Sequence, residues 1–222
     1  MLNLFFPQLC CGCDRRLHQG SQLLCVNCKA DLALCFPANL TDNSFTRRFY
    51  GRLRLESGFS LLRFESTNHC RDLIHQLKYK GKQKLGDYFA LWLATLLKQN
   101  ECIPDFDFVV PVPLHKSRLR KRGYNQVDRF AMAFAKELNV ICKLNGLVRT
   151  DKSRSSVNFG RSSRFENPHK FSLNPGWKPQ AGQHILIVDD TITTGATLEA
   201  CAKVLLNAGE VKLSFATIAM TQ

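Results

Sequence analysis

The stretch ILIVDDTITTGAT, residues 185–197, joins four apolar residues to two acids and a threonine-rich turn. A continuous apolar run of this length predicts a strand buried on both faces, as in a parallel sheet. In an open sheet of this kind, ligands bind beyond the carboxyl ends of the strands, where Asp189 and Asp190 fall. The stretch therefore predicts a fold class and the position of a site.

The polar half of this stretch has the chemistry of a site for a phosphorylated sugar. Two adjacent carboxylates suit the vicinal hydroxyls of a ribose. A phosphate suits the backbone N–H groups at a helix start and the hydroxyls before it, which predicts contacts from Thr193, Thr194, Gly195, Ala196 and Thr197. Two alternatives are an acid-capped strand with a threonine-rich turn, and the acidic pocket of a phosphoacceptor receiver domain. A Walker A motif is absent from the sequence.

Apolar periodicity elsewhere predicts helices that alternate with strands. Helices are expected over residues 69–81, over 84–98 and along a stripe that includes Val127 and Phe134, and strands over 106–113 and near 184–190. A last helix and strand close the chain. Residues 36–68 favour a hairpin or two weak strands, and residues 150–168 favour a long functional loop. The fold class is therefore α/β, a parallel sheet with helices on both faces.

Six of the ten cysteines fall within the first 35 residues. Cys10 and Cys13 form one C-x₂-C pair and Cys25 and Cys28 form another, the spacing of a tetrahedral zinc site. Four thiolates leave no open coordination position, so such a site is structural. Core or redox thiols are the alternative, and His18 is another conceivable ligand. The roles of Cys11 and Cys35 stay open.

The formal net charge of +13 is concentrated in one quarter of the chain. Between residues 111 and 170, fourteen Lys and Arg face four acids, a balance of +10. This density predicts an anionic partner, either nucleic acid or a polyphosphate metabolite. The alternative is a solvated basic surface. No apolar run reaches the length of a membrane span and the first residues do not resemble a signal peptide, so the cytoplasm is the expected compartment.

ILIVDDTITTGAT resembles the signature of type I phosphoribosyltransferases, which bind phosphoribosyl pyrophosphate (PRPP). Together with VPVPLHKSRLRKRGYNQ, a later Arg/Ser-rich loop that ends RFEN and the paired cysteines, it resembles the competence protein F (ComF) family over nearly the whole chain. The resemblance implies a zinc-ribbon-like module at residues 1–40, a connector at 41–68 and a phosphoribosyltransferase-like domain at 69–222.

The resemblance also implies roles for individual residues. Asp189 and Asp190 would be the catalytic acids and would hold the ribose hydroxyls, and the threonine turn would hold the 5′-phosphate. Lys116 and Arg118 would face the pyrophosphate, and magnesium would be bound chiefly by the ligand's own oxygens. The segment at 150–168 takes the place of the flexible catalytic loop.

Two functions fit this resemblance. The first is an accessory protein of DNA uptake in natural transformation, which acts in the cytosol on incoming single-stranded DNA. Its basic patch would include Arg120, Lys121 and Arg122, with Tyr124, Phe130 and Phe159 as base-stacking candidates and core packing as the alternative for Phe130. Other DNA-uptake proteins are a further implied class of partner. The alternative is an active phosphoribosyltransferase that moves ribose 5-phosphate from PRPP to a base or amine.

Overall fold

A parallel sheet of five strands runs through the centre of the chain. The computed structural model describes residues 7–17, 23–65, 69–100, 103–150 and 171–221. The strands of the sheet are β1 Ser57–Phe64, β2 Phe108–Pro111, β3 Ile141–Cys142, β6 His184–Ile192 and β7 Lys212–Thr221, and a separate antiparallel pair comprises β4 Leu147–Arg149 and β5 Phe171–Leu173. The helices are α1 Val26–Ala30, α2 His69–Tyr79, α3 Lys84–Gln99, α4 Lys116–Arg122, α5 Gln126–Leu138 and α6 Ala196–Leu206, with a 3-10 helix at Thr46–Phe49.

Both faces of the sheet are covered, as the apolar strands predict. The apolar run of β6 is fully buried, and its side chains alternate between two cores. Leu186 and Val188 join the core that contains α2, α3 and α5. Ile185 and Ile187 join the core that contains α6 and the 3-10 helix. The expected α/β architecture is confirmed.

The strand order β1–β7–β6–β2–β3 places a topological switch point between β2 and β6. The chain leaves β2 through α4 and α5 toward β3, and it leaves β6 through α6 toward β7 on the other side. Two connections that diverge in this way open a crevice at the carboxyl ends of the strands. The β2–β6 pairing ends at Pro111 and Val188, whereas β6 continues to Ile192 beside β7. Residues 189–192 therefore border this crevice.

Residues 36–68, expected to form a hairpin or two weak strands, contain the strand β1 at residues 57–64, which pairs in parallel with β7 at the sheet edge and not in a hairpin. Small polar side chains pair across the two strands: the hydroxyls of Ser57 and Ser214 lie 2.8 Å apart, and those of Thr217 and Ser60 lie 3.0 Å apart. These contacts satisfy hydroxyl groups that are buried within the sheet, and they are formed with a strand that is distant in the sequence. The domain boundaries at residues 40 and 68 remain a prediction.

The cysteine-rich segment docks on the outer edge of β1. Leu34 and Leu62 form an antiparallel bridge, and the N–H of Cys35 donates to the carbonyl of Leu61 at 3.0 Å. This pairing covers a sheet edge that would otherwise present free backbone groups. The loop expected at 150–168 lies, after Thr150, outside the described residues.

Candidate functional site

The two adjacent acids point to opposite faces of β6. Asp189 is half-buried and borders the crevice together with Thr191 and residues 192–198. Asp190 is only 4% exposed and turns toward helices α2 and α5. Because β6 continues through Ile192, the alternation of side chains in a strand separates the two carboxylates.

Asp190 is held by two side chains that sequence reasoning did not identify. The ammonium of Lys78, at the end of α2, lies 2.8 Å from one carboxylate oxygen. The amide of Gln126, at the start of α5, donates to the other oxygen. A buried carboxylate requires such partners. Gln126 is a polar residue at a buried position of a helix, and this feature could have identified it as a partner of a buried charge.

The surroundings of the Asp189 carboxyl disfavour its negative charge in the free protein. Burial and the negative charge of Asp190 raise the pKa of Asp189 to about 8, although the Asp190 N–H, Lys78 and Arg149 act in the opposite direction. The Asp190 N–H donates to an Asp189 carboxylate oxygen at 2.8 Å. These surroundings shift the Asp189 carboxyl toward its protonated form in the free protein.

The threonine turn and the start of α6 form the other wall of the crevice. Thr193, Thr194, Ala196 and Thr197 are exposed there, and Gly195 lies in the left-handed region with φ +81°. The hydroxyl of Thr194 accepts from the Ala196 N–H at 3.4 Å. The first turn of a helix presents N–H groups that have no partner within the helix, which favours a bound anion. The predicted phosphate residues and Asp189 are thus brought together, on the far side of β6 from Asp190.

The segment predicted as a connector braces this turn from behind. Arg48 donates to the carbonyl of Thr193, and Arg52 lies 3.4 Å from the carbonyl of Thr194. Arg52 also donates to the Glu199 carboxylate at 2.6 Å. Because these guanidiniums hold the carbonyl groups of the turn, they fix its backbone. Local sequence patterns carry no sign of this role, since the contacts are formed only by the tertiary fold.

Replacing Gly195 with alanine is expected to lower the free energy of unfolding by about 2–5 kcal/mol. An alanine at this φ costs about 1–2 kcal/mol, and its Cβ would lie 2.6 Å from the ring of Phe49, which adds about 1–3 kcal/mol. Gly182→Ala is the matched control, because Gly182 has φ +82° and its Cβ would meet open space. Urea denaturation measures both variants. Equal losses would show that Phe49 does not brace the turn.

The basic run forms the exposed helix α4 after β2. Lys116, Arg118, Arg120 and Lys121 are exposed on it, whereas Arg122 is half-buried. The guanidinium of Arg122 donates to the amide oxygen of Gln126, the residue that holds Asp190. The predicted cations therefore follow the carboxyl end of β2, and Arg122 connects their helix through Gln126 to Asp190.

The four paired cysteines lie together, with all sulfur atoms within 4.8 Å of one another. A zinc ion bound at about 2.3 Å by four thiolates separates the sulfurs by about 3.8 Å, and the sulfurs of Cys13 and Cys25 are 3.8 Å apart. Burial raises the pKa of Cys10, but the N–H groups of Cys25, Gly12 and Cys13 more than offset this and lower it to about 7. This donor set fits a metal such as zinc.

The other cysteines near this module lie outside the cluster. The N–H of Cys11 donates to the carbonyl of Leu23 at 2.9 Å, and the carbonyl of Cys11 accepts from Gln76 of α2. The thiol of Cys35 lies 3.7 Å from the carbonyl of Ser60 in β1. These contacts connect the cysteine module to the sheet and to α2.

Comparison with known proteins found relatives over most of the chain. Competence protein F of Haemophilus influenzae is 33% identical over 221 residues, 94% of this chain and 95% of the relative. Competence protein ComFC of Streptococcus pneumoniae is 29% identical over 90% of this chain and 82% of its own length. DNA utilization protein YhgH of Salmonella typhi is 28% identical over 62% of this chain, and the match spans 61% of that relative's length.

Solved structures with a similar arrangement are phosphoribosyltransferases. Glutamine PRPP amidotransferase from B. subtilis is 19% identical over 64% of this chain and 30% of its own, with a TM-score of 0.42. Adenine phosphoribosyltransferase from Saccharomyces cerevisiae is 22% identical over 62% of this chain and 67% of its own, with a TM-score of 0.37. Scores in this range carry no argument about the site, which rests on the contacts described above.

No family model matches the sequence. Within the described ranges, the structure has no helix with the length and apolar character needed to cross a membrane. The family assignment instead rests on the sequence identity to the H. influenzae protein, which extends along almost the full length of both chains. The chain belongs to the competence protein F family.

Proposed function

We propose that this chain is a competence accessory protein that binds PRPP and acts in the cytosol on incoming single-stranded DNA. The observation that carries the proposal is the crevice at the β2–β6 switch point. It is lined by the half-buried carboxyl of Asp189 and the threonine turn at residues 193–197, and the basic helix α4 follows β2, the neighbouring strand. The names of the relatives, competence protein F and competence protein ComFC, support the biological role.

In this proposal the crevice binds the phosphoribosyl group through chemistry that its walls already offer. Asp189 accepts hydrogen bonds from the ribose hydroxyls, and the turn at residues 193–197 donates to the 5′-phosphate. Lys116 and Arg118 contact the pyrophosphate. Magnesium, when bound, neutralises phosphate charge and takes most of its ligands from the phosphoribosyl oxygens and water. Asp190, on the opposite face of β6, connects this strand to α2 and α5 through Lys78 and Gln126.

The cysteine module holds zinc in this proposal. The sulfur spacing and the N–H groups that point at Cys10 support a closed thiolate site. Because Cys10 and Cys28 belong to the same core as α2 and α3, the metal would stabilise the packing of α2, the helix that carries Lys78. The metal would therefore have a structural role. Protein partners of the DNA-uptake machinery would contact the exposed surface of the module.

Removing cations from α4 is expected to weaken the binding of single-stranded DNA and to flatten its salt dependence. Each phosphate contact on a single strand contributes about 0.7 to the slope of log K against log salt. Arg120→Ala with Lys121→Ala should therefore reduce the slope by up to about 1.4. Titrating a fluorescent oligothymidylate at several salt concentrations measures both quantities.

A matched pair of substitutions controls for net charge. Lys136 near the end of α5 and Lys212 at the start of β7 are exposed, and both lie toward the amino ends of the sheet strands. Replacing both with alanine removes the same charge from the opposite end of the sheet strands. It should leave the slope of log K against log salt nearly unchanged. An equal effect of the two double variants would contradict a DNA surface at α4.

The alternative is an active phosphoribosyltransferase. It is supported by the crevice that Asp189 and the threonine turn line together, because these groups suit the ribose and the 5′-phosphate of PRPP. Pyrophosphate released from PRPP–magnesium in the presence of a base or ammonia would establish this activity. Loss of transformation in a deletion strain tests the competence role separately, because that role does not require turnover.

A further inference from the structure

Tyr79 is an exposed aromatic residue that is held between two polar partners. It ends helix α2, and 63% of it is accessible to solvent. The guanidinium carbon of Arg122 lies 4.8 Å from the centre of its ring. The ring of His75 lies 4.9 Å away at an angle of 42°. Because a large apolar ring is exposed and held in place, it presents a ready surface for another flat group.

The ends of α2 and α4 meet at this ring. Tyr124, just after α4, donates its hydroxyl to the carbonyl of Leu77 at 2.8 Å and accepts from the Gly81 N–H at 3.2 Å. This pair of bonds fixes the end of α2 beside the chain that leaves α4. Exposed cations flank the junction in both segments, namely Lys80, Lys82, Arg120 and Lys121. The junction therefore combines an exposed ring with a dense positive charge.

Packing of the core does not account for this ring. The buried residues of α2 are Cys70, Leu73, Ile74 and Leu77, and Tyr79 lies outside this set. The aromatic candidates suggested by the sequence are used in other ways. Phe130 is fully buried and stacks on Phe134, Tyr124 joins the two helices, and Phe159 lies outside the described residues.

We propose that Tyr79 is a base-stacking residue of the single-strand surface, a role that rests on the DNA function proposed above. Arg122 and His75 hold the ring, and the neighbouring cations bind the phosphates on either side of the stacked base. Stacking on an aromatic ring tolerates any base, as a protein that handles DNA of arbitrary sequence requires. Arg122 also donates to Gln126, which holds Asp190 on the face of β6 away from the crevice.

The test compares wild type with Tyr79→Ala, Tyr79→Phe and Tyr79→Trp on two probes. One is a short oligothymidylate, and the other is an abasic deoxyribose phosphate strand of the same length. Stacking of one base contributes about 1–3 kcal/mol, so Tyr79→Ala should weaken the binding of oligothymidylate by about 5- to 140-fold. The aromatic variants should restore it, and the affinity for the abasic strand should change little.

Tyr50→Ala is the matched control. Tyr50 is 59% exposed, and its hydroxyl lies 3.0 Å from the Asp42 carboxylate. It follows the 3-10 helix whose Arg48 contacts the threonine turn, and it lies away from α2. This variant should bind both probes as wild type does. Because both tyrosines are exposed, thermal melting should be nearly unchanged in either variant, which separates stacking from misfolding.

Each outcome bears on a different claim. A wild-type protein that binds neither probe would contradict the proposed DNA function itself. Wild-type binding that weakens with salt, together with equal affinity of Tyr79→Ala for oligothymidylate, would overturn the stacking role alone. A parallel loss on the abasic strand would also overturn it, because the ring would then act by orienting Arg122 toward phosphate.

Discussion

Replacing Cys28 with serine is expected to abolish metal binding and to lower the melting temperature by roughly 8–16 °C. Cys28 is buried in the four-cysteine cluster and also belongs to the core that contains α2 and α3. Loss of a structural metal is among the few single changes that cost about 4 kcal/mol or more. In a chain of this size, each kcal/mol shifts the melting temperature by roughly 2–4 °C.

Cys142→Ser is the control for this experiment. Cys142 is a half-buried free thiol in β3, outside the cluster. It should leave metal content and melting nearly unchanged, whereas chelation of wild-type protein should reproduce the effect of Cys28→Ser. Metal analysis of the purified proteins and thermal melting followed by circular dichroism give the two readouts. A Cys28→Ser protein that retains its metal and melts like wild type would refute a thiolate site.

The cysteine cluster could be predicted from the sequence because its signal is local. A C-x₂-C pair places two sulfurs on one tight turn whatever the rest of the chain does, and two such pairs need only meet. The pairing of Cys10 and Cys13 with Cys25 and Cys28 was therefore fully recoverable. What the spacing could not reveal is how the module docks, since its pairing with β1 depends on residues distant in the sequence.

The central strands were also predictable, but the place of β1 beside β7 at a sheet edge was not. The apolar run at residues 185–188 is long enough to identify a doubly covered strand, and β6 lies there. Residues 57–64 mix serine and glycine with apolar residues, and their burial depends on hydroxyl pairs formed with β7. A pattern of side-chain polarity cannot reveal such pairs, because each hydroxyl counts as an exposed group until its partner is known.

The acid pair shows the same limit within the site. The sequence assigned one role to Asp189 and Asp190 because they are adjacent. The pairing of β6 with β7 continues to Ile192 and Met220, so the strand does not end at the acids and their side chains alternate. Lys78 and Gln126 then occupy one carboxylate and leave the other to the crevice. The two acids should therefore respond differently to substitution.

Asp189→Asn is expected to weaken the binding of PRPP–magnesium by about 10- to 100-fold, because a hydrogen bond to a charged group contributes about 1.5–3 kcal/mol. It should also remove a pH dependence. In the proposed site the ribose hydroxyls would donate to the ionised carboxyl, and burial together with the charge of Asp190 raises the pKa of Asp189 to about 8 in the free protein. Wild-type affinity should rise by up to about tenfold per pH unit between pH 6 and 8 and then level off. Isothermal titration calorimetry measures this, and unchanged affinity and pH dependence in the variant would contradict the proposed ribose contact.

Stability provides the control, because the two acids should shift it in opposite directions. Asp189 holds its proton to about pH 8 in the folded protein, whereas its ordinary pKa is 3.8. The folded state thus binds more protons than the unfolded state between these values, and stability falls as pH rises through this window. Asp189→Asn should therefore melt above wild type at pH 8, and the gap should close toward pH 4. Asp190→Asn should melt below wild type, since it leaves Lys78 without its carboxylate partner. If Asp189→Asn gains stability and loses affinity for PRPP–magnesium, Asp189 serves ligand binding at the expense of stability. If Asp190→Asn melts above wild type and Asp189→Asn melts below it, the roles assigned to the two acids are reversed.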